Sequence, residues 1–143
     1  MNTIDTKGVT QAGVIQVIPA ATDVVRQFWA LMASNDFSSV GAVLSDDFLL
    51  DWPQSNERIR GKDNFARMNA EYPCNGRWIF TINQLLGNDV EVVSDVSITD
   101  GVQHPHAISF FTVVNGKITA IREYWPEPYP APANRRHLVE QIR

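Results

Sequence analysis

The order of periodicities along the chain predicts an α+β fold, helices first and an antiparallel meander after them. Apolar residues recur at helical spacing in three stretches before Pro73, whereas period-two alternation dominates from Trp78 onward. The later runs are separated by Gly87-Asn88 and Asn115-Gly116, dipeptides that reverse a chain between strands. A length of 143 residues suits one domain with a sizeable core.

Residues 1–20 read as an arm of mixed polar residues with two glycines and Pro19 near its end. Within it, Val14 to Ile18 is apolar enough to lie against the body or a partner subunit. Residues 21–126 form the body. Thr22 suits an N-cap for a helix to about Ser34, with Val25, Phe28, Trp29 and Met32 on one stripe. Asp36 suits the cap of a second, short helix turning Phe37, Val40, Val43 and Leu44 inward. Phe48 to Trp52 reads as a strand stopped by Pro53, and a loop then runs to Gly61. A third helix is expected from Lys62 to about Tyr72, with Phe65, Met68, Asn69 and Tyr72 on one face. Four strands follow, over Trp78 to Leu86, Val90 to Thr99, Ala107 to Val114 and Ile118 to Trp125. In the second of them, Val90, Val92, Ser94, Val96 and Ile98 form the inward set. Residues 127–143 are a proline-rich tail in which Arg135 to Ile142 can form a last helical turn or two.

Composition narrows the function. Net charge is −4 and the pI is about 5.2, so there is no basic footprint for nucleic acid. The single cysteine, Cys74, excludes an intrachain disulfide and fits a cytoplasmic protein. The N-terminus lacks the apolar core of a signal peptide, and no run approaches the ~20 apolar residues of a membrane helix.

Glu123 is the residue that asks for a function. Side chains alternate along a strand, so Ile121, Glu123 and Trp125 share a face. A carboxylate buried between Ile and Trp is costly without a partner or a task. Burial would also raise its pKa toward the range of a general base at neutral pH. The competing reading is an ion pair with Arg58, Arg60 or Arg67. His104-Pro105-His106 lacks a third metal ligand and reads as a surface or interface feature, with His106 facing away from any pocket. Asp46-Asp47 suits a turn, Asp51 suits loop amides or Arg60, and Gln54 to Glu57 is a polar loop near the mouth of a pocket. Cys74 has no nearby histidine to activate it. Glycine-rich phosphate loops, zinc-finger spacings and the Gly-x-Ser-x-Gly elbow are absent from the sequence.

The run Thr22-Asp23-Val24-Val25 through Asp36, then Ser45-Asp46-Asp47, Pro53, Glu57 and Gly61, resembles ketosteroid isomerase in spacing, and the likeness ends on Gly116-Lys117-Ile118. It covers roughly residues 22–125 and points to the nuclear-transport-factor-2-like superfamily, a cone of three helices on a curved, mostly antiparallel sheet around one pocket. The isomerase's working positions are replaced: its oxyanion tyrosine falls on Phe28, its base on Trp52 and its second oxyanion donor on Ser109. The chain also resembles the SnoaL-like polyketide cyclases, whose final-strand acid/base aspartate falls on Glu123. Their pocket histidines fall on Ile121 and near Ser109.

Face counting and this resemblance together imply a pocket of Phe28, Trp52, Phe65, Met68, Asn69, Ser94, Val96, Ile98, Ser109, Phe111, Ile121 and Trp125 around a catalytic Glu123. The implied ligand is a small apolar or aromatic molecule. In this scheme Ser109 and Asn69 orient its polar end, while Phe28, Trp52 and Trp125 sandwich the apolar part. No metal or organic cofactor is required. The resemblance also implies a homodimer through the outer sheet face. The alternative is that these side chains fill a solid core and the protein is a binding or assembly module.

Overall fold

The protein is described here by a computed structural model covering residues 8–11 and 14–143, with side chains from Val17 onward. The N-terminal strands β1 (Gly8–Gln11) and β2 (Val14–Val17) pair antiparallel as a separate two-stranded sheet. Residues 1–7 and 12–13 of the expected arm lie outside the described residues.

Helix α1 (Ala21–Ala33) starts earlier than Thr22 would suggest. Ala20 is extended, and its carbonyl accepts from Asp23 and Val24 at 3.0 and 3.1 Å, so Thr22 lies inside the first turn and caps nothing. The predicted stripe is the buried one: Val25, Phe28, Trp29 and Met32 face inward, joined by Ala21 and Val24. The second helix is a 3-10 segment, Phe37–Val43, and Asp36 makes no side-chain cap bond to it. Two serines, a glycine and two β-branched valines give this segment poor α propensity.

Strand β3 (Leu44–Trp52) begins four residues before the predicted strand. The expected loop after it holds a short strand, β4 (Glu57–Arg60), antiparallel to β3 with Leu50 opposite Ile59. Only Ile59 of β4 is buried, which leaves no alternation to read. Helix α2 (Lys62–Glu71) begins after Gly61, whose φ of +88° favours glycine. The Gly61 N–H donates to the Phe48 carbonyl at 2.8 Å, tying the helix start to β3.

Strands β5 (Ile79–Gly87), β6 (Glu91–Thr99), β7 (His106–Val114) and β8 (Lys117–Tyr124) complete a six-stranded sheet in the order β4-β3-β8-β7-β6-β5. Every pairing is antiparallel except β3 with β8. Register breaks in β3, in β5 and between β7 and β8 bend the open sheet, since an extra residue on one strand adds twist and curvature. The inward set on β6 is Val92, Ser94, Val96 and Ile98, whereas Val90 lies outside the strand and is exposed.

The two α-helices lie over the inner face. Phe28 is 1% exposed, with ring centroids of Trp29, Phe111 and Phe65 at 4.9, 5.2 and 5.9 Å. Phe65 also meets Phe48 edge-on at 5.6 Å. Asp100 organises the β6–β7 loop by accepting from the backbone N–H of Asn75, Val102 and Gln103. Burial works against its charge, but these donors and the Gln103 amide hold its carboxyl well below the usual range.

The tail carries a 3-10 segment, Ala133–Leu138, rather than a turn from Arg135. Among the described residues there are thus four helical segments, three of them of seven residues or more. This replaces the expected set of three N-terminal helices. No helix among the described residues is long and apolar enough to cross a membrane.

Candidate active site

Three strands bring one carboxylate and two donors together. Glu123 on β8 is directly opposite Ser109 on β7. A regular hairpin counted back from Val114 and Lys117 would set Ser109 against Arg122. The register break between Thr112 and Val113 moves it opposite Glu123. The Ser109 hydroxyl donates to Glu123 Oε2 at 2.6 Å. On the other side β3 runs parallel to β8 with Asp51 beside Arg122, so Trp52 follows beside Glu123. The indole Nε1–H donates to Glu123 Oε1 at 3.0 Å.

Glu123 is 5% exposed, and its carboxylate is bonded by neutral donors alone. The ion-pair reading is corrected. Arg58 forms a two-pronged bond to Asp51 at 2.6 and 2.9 Å, and Arg67 pairs with Glu71 at 3.3 Å. Asp51 suits loop amides or Arg60 by sequence; in the structure it takes Arg58, its register partner on β4. Desolvation pushes the Glu123 pKa up, and the bonds from Ser109 and Trp52 offset part of that rise. A carboxylate has about four lone-pair sites, so these two donors leave it room to accept a further proton.

Because the Ser109 bond favours the charged form, Ser109→Ala should raise the Glu123 pKa further. Carboxyl NMR titration of the variant reads this directly; an unchanged or lower midpoint would contradict the assignment.

Glu123 reaches a cavity of about 100 Å³ that is also lined by Phe28, Trp52, Phe65, Met68, Asn69 and Trp125. Asn69 donates one amide hydrogen to the Phe65 carbonyl at 2.8 Å, which leaves the other free to donate. Five expected lining residues, Ser94, Val96, Ser109, Phe111 and Ile121, do not border this space. Ser109 is fully buried, with its hydroxyl on Glu123, so it can position the carboxylate but not orient a ligand. Ser94 accepts the Trp29 indole N–H at 3.1 Å, Phe111 packs against Phe28 and Trp29, and Ile121 is core. Ser94 and Phe111 are covered by the aromatic rings of α1, and Val96 and Ile121 are fully buried in the core. Trp29, Trp78, Phe80, Gln103 and Pro105 line it and were not in the sequence-derived set. Gln103 and Pro105 arrive on the Asp100-ordered loop, which has no periodicity to announce it.

A wider cleft of about 650 Å³ adjoins the cavity and shares Trp52, Met68, Tyr72 and Trp125 with it. Trp52 and Trp125 meet edge-to-face at 6.4 Å. They pair with each other, and Phe28 stands apart from them in the aromatic core while lining the same cavity. Gln54 from the polar loop fixes Trp125. Its Oε1 accepts the Trp125 N–H at 2.6 Å, and its Nε2 donates to the Trp125 carbonyl at 3.4 Å. His106 pairs with Asp95, and no cluster of three or more His, Cys, Asp or Glu side chains forms among the described residues.

An open, curved six-stranded sheet beneath helices is the fold shared with nuclear-transport-factor-2-like structures. The SnoaL-like domain profile matches residues 25–121, and the chain belongs to that family. A crystal structure from Kribbella flavida, provisionally described as a ketosteroid isomerase, is 30% identical with a TM-score of 0.78, covering 85% of this chain and 89% of that one. The structure of an LEH-like epoxide hydrolase from M. tuberculosis is 25% identical with a TM-score of 0.59, over 74% and 82% of the two chains. A provisional SnoaL-like polyketide cyclase from Jannaschia sp. CCS1, 16% identical over 75% and 88% at a TM-score of 0.60, shares the fold. No protein of curated function matches the chain significantly.

Proposed function

We propose that this protein is a SnoaL-like enzyme in which Glu123 moves a proton on a small, largely apolar, cyclic or carbonyl-bearing substrate. The observation that supports this is the environment of Glu123, a buried carboxylate with neutral donors only, at the wall of an apolar cavity. Such a group is a poor structural element and a good base. In the step proposed, the carboxylate takes a proton from the carbon next to a carbonyl. The C–H electron pair moves to the carbonyl oxygen, and the free Asn69 amide hydrogen is the available donor to that oxygen. The resulting carboxylic acid then reprotonates another carbon, protonates a departing hydroxide, or protonates the alkoxide formed when the enolate carbon attacks a second carbonyl. Isomerisation, dehydration and cyclisation differ only in this second half.

The test is loss of α-protons from cyclic ketones in D2O, followed by NMR, for wild type and Glu123→Gln. Exchange that requires Glu123 supports the proposal; exchange surviving in the variant overturns it. The second reading, a binding module, draws on the narrow inner cavity, about 100 Å³ against the roughly 300–1,000 Å³ usual for small-molecule sites. Saturable ligand binding with no exchange by either protein would select it.

The same reading includes a homodimer through the outer sheet face. Phe110 and Val114 are 39% and 47% exposed there, and the Arg122 guanidinium lies 4.6 Å over the Phe110 ring. Sedimentation equilibrium should return twice the chain mass at micromolar concentration, and Phe110→Asp should return the monomer. A wild-type monomer would contradict it.

A further inference from the structure

The two adjoining chambers carry charge of one sign. Among the described residues, no lysine, arginine or histidine lines either the inner cavity or the outer cleft. The ionisable acids on their walls are Glu123 inside, and Glu57 and Glu127 outside. The nearby arginine Arg58 is held on Asp51, away from these walls. A carboxylate, phosphate or sulfate on the ligand would therefore meet no counter-charge among the described residues of these walls, and three potential repulsions.

The walls of the outer cleft are independently suited to a cation. Trp52, Tyr72 and Trp125 border it, and the Met68 thioether adds a polarizable surface. Aromatic faces attract alkylated ammonium groups through the ring quadrupole, with indole the strongest. The Trp52 indole is held by its bond to Glu123 and packs against the Trp125 ring, and Gln54 fixes the Trp125 backbone, so ordering this wall on binding has a small entropic cost.

We infer that the ligand carries an ammonium group, seated in the outer cleft among Trp52, Tyr72, Trp125, Glu57 and Glu127, with its apolar body reaching the inner cavity. This deepens the proposed function and rests on its reading of the cavity as a small-molecule site. The substrate class is then a basic or quaternary amine joined to an apolar, carbonyl-bearing portion. The cation would also favour the ionised form of Glu123 when it binds.

The probes are benzyltrimethylammonium, its neutral carbon isostere neopentylbenzene, and phenylacetate, measured by quenching of tryptophan fluorescence and by calorimetry. The cation should bind about tenfold or more tighter than the isostere, as expected for one or two desolvated cation–π contacts, and phenylacetate should not bind. Glu57→Gln with Glu127→Gln should reduce that preference to within about threefold, and Trp125→Leu should remove most of it. Equal or tighter binding of the isostere, binding of phenylacetate, or no binding of the cation overturns the inference. The two proposals fail separately. Ketone exchange that depends on Glu123 without cation preference leaves the function standing, and cation preference without exchange leaves the ligand class standing.

Discussion

Glu123→Gln is expected to lower proton exchange by about 10²- to 10⁴-fold, the usual contribution of a positioned general base. The substitution is nearly isosteric. The amide oxygen can still accept the Trp52 N–H, while the amide nitrogen faces the Ser109 hydroxyl and cannot take a proton from carbon. Activity of the wild type should fall as pH drops through the raised Glu123 pKa, because only the carboxylate acts as a base. Stability runs the other way. A carboxyl whose pKa is higher folded than unfolded contributes stability that is fully present below the unfolded value and is lost as pH rises through the folded one. The glutamine variant lacks that loss, so at neutral pH it should be at least as stable as wild type in urea. A variant that is inactive and also strongly destabilised would instead mark Glu123 as a structural group.

Phe28→Ala is the largest expected effect on stability, about 3–5 kcal/mol, the range for removing a buried aromatic ring. Phe28 is wedged between Trp29, Phe65 and Phe111, residues from α1, α2 and β7, so its ring joins both helices to the sheet. These neighbours are themselves large and held by further ring contacts, Trp29 with Phe111 and Phe65 with Phe48, so they can collapse only partly into the space left behind. Equilibrium urea unfolding measures the change. A loss under about 1 kcal/mol would mean that the site relaxes freely and that the aromatic core is less tightly packed than described.

The parts of this fold that were legible in the sequence rest on local periodicity. The α1 stripe was visible because Val25, Phe28, Trp29 and Met32 recur at helical spacing, and β6 because Val92, Ser94, Val96 and Ile98 alternate with polar residues. What escaped is non-local or irregular. Trp52 reaches Glu123 through the parallel pairing of β3 with β8, and nothing near either residue encodes that neighbour. Ser109 reaches it only because a register break shifts the β7–β8 hairpin by one residue. Phe28, Trp52 and Ser109 stand where ketosteroid isomerase has its working residues, and the sequence assigns them only to the pocket wall. Two of those three replacements converge on the one carboxylate that stands out in the chain, and the third anchors the aromatic core. The Gln103–Pro105 side of the cavity was hidden for another reason: its loop is ordered by Asp100, a turn carboxylate with no pattern around it.

The most direct test is NMR titration of the Glu123 carboxyl, with Glu123→Gln to assign the signal. A desolvated carboxylate held by two neutral donors should titrate clearly above the ~4.3 of a free glutamate. A midpoint at or below that value would mean a solvated or ion-paired group, and would contradict a proton-transfer role for Glu123.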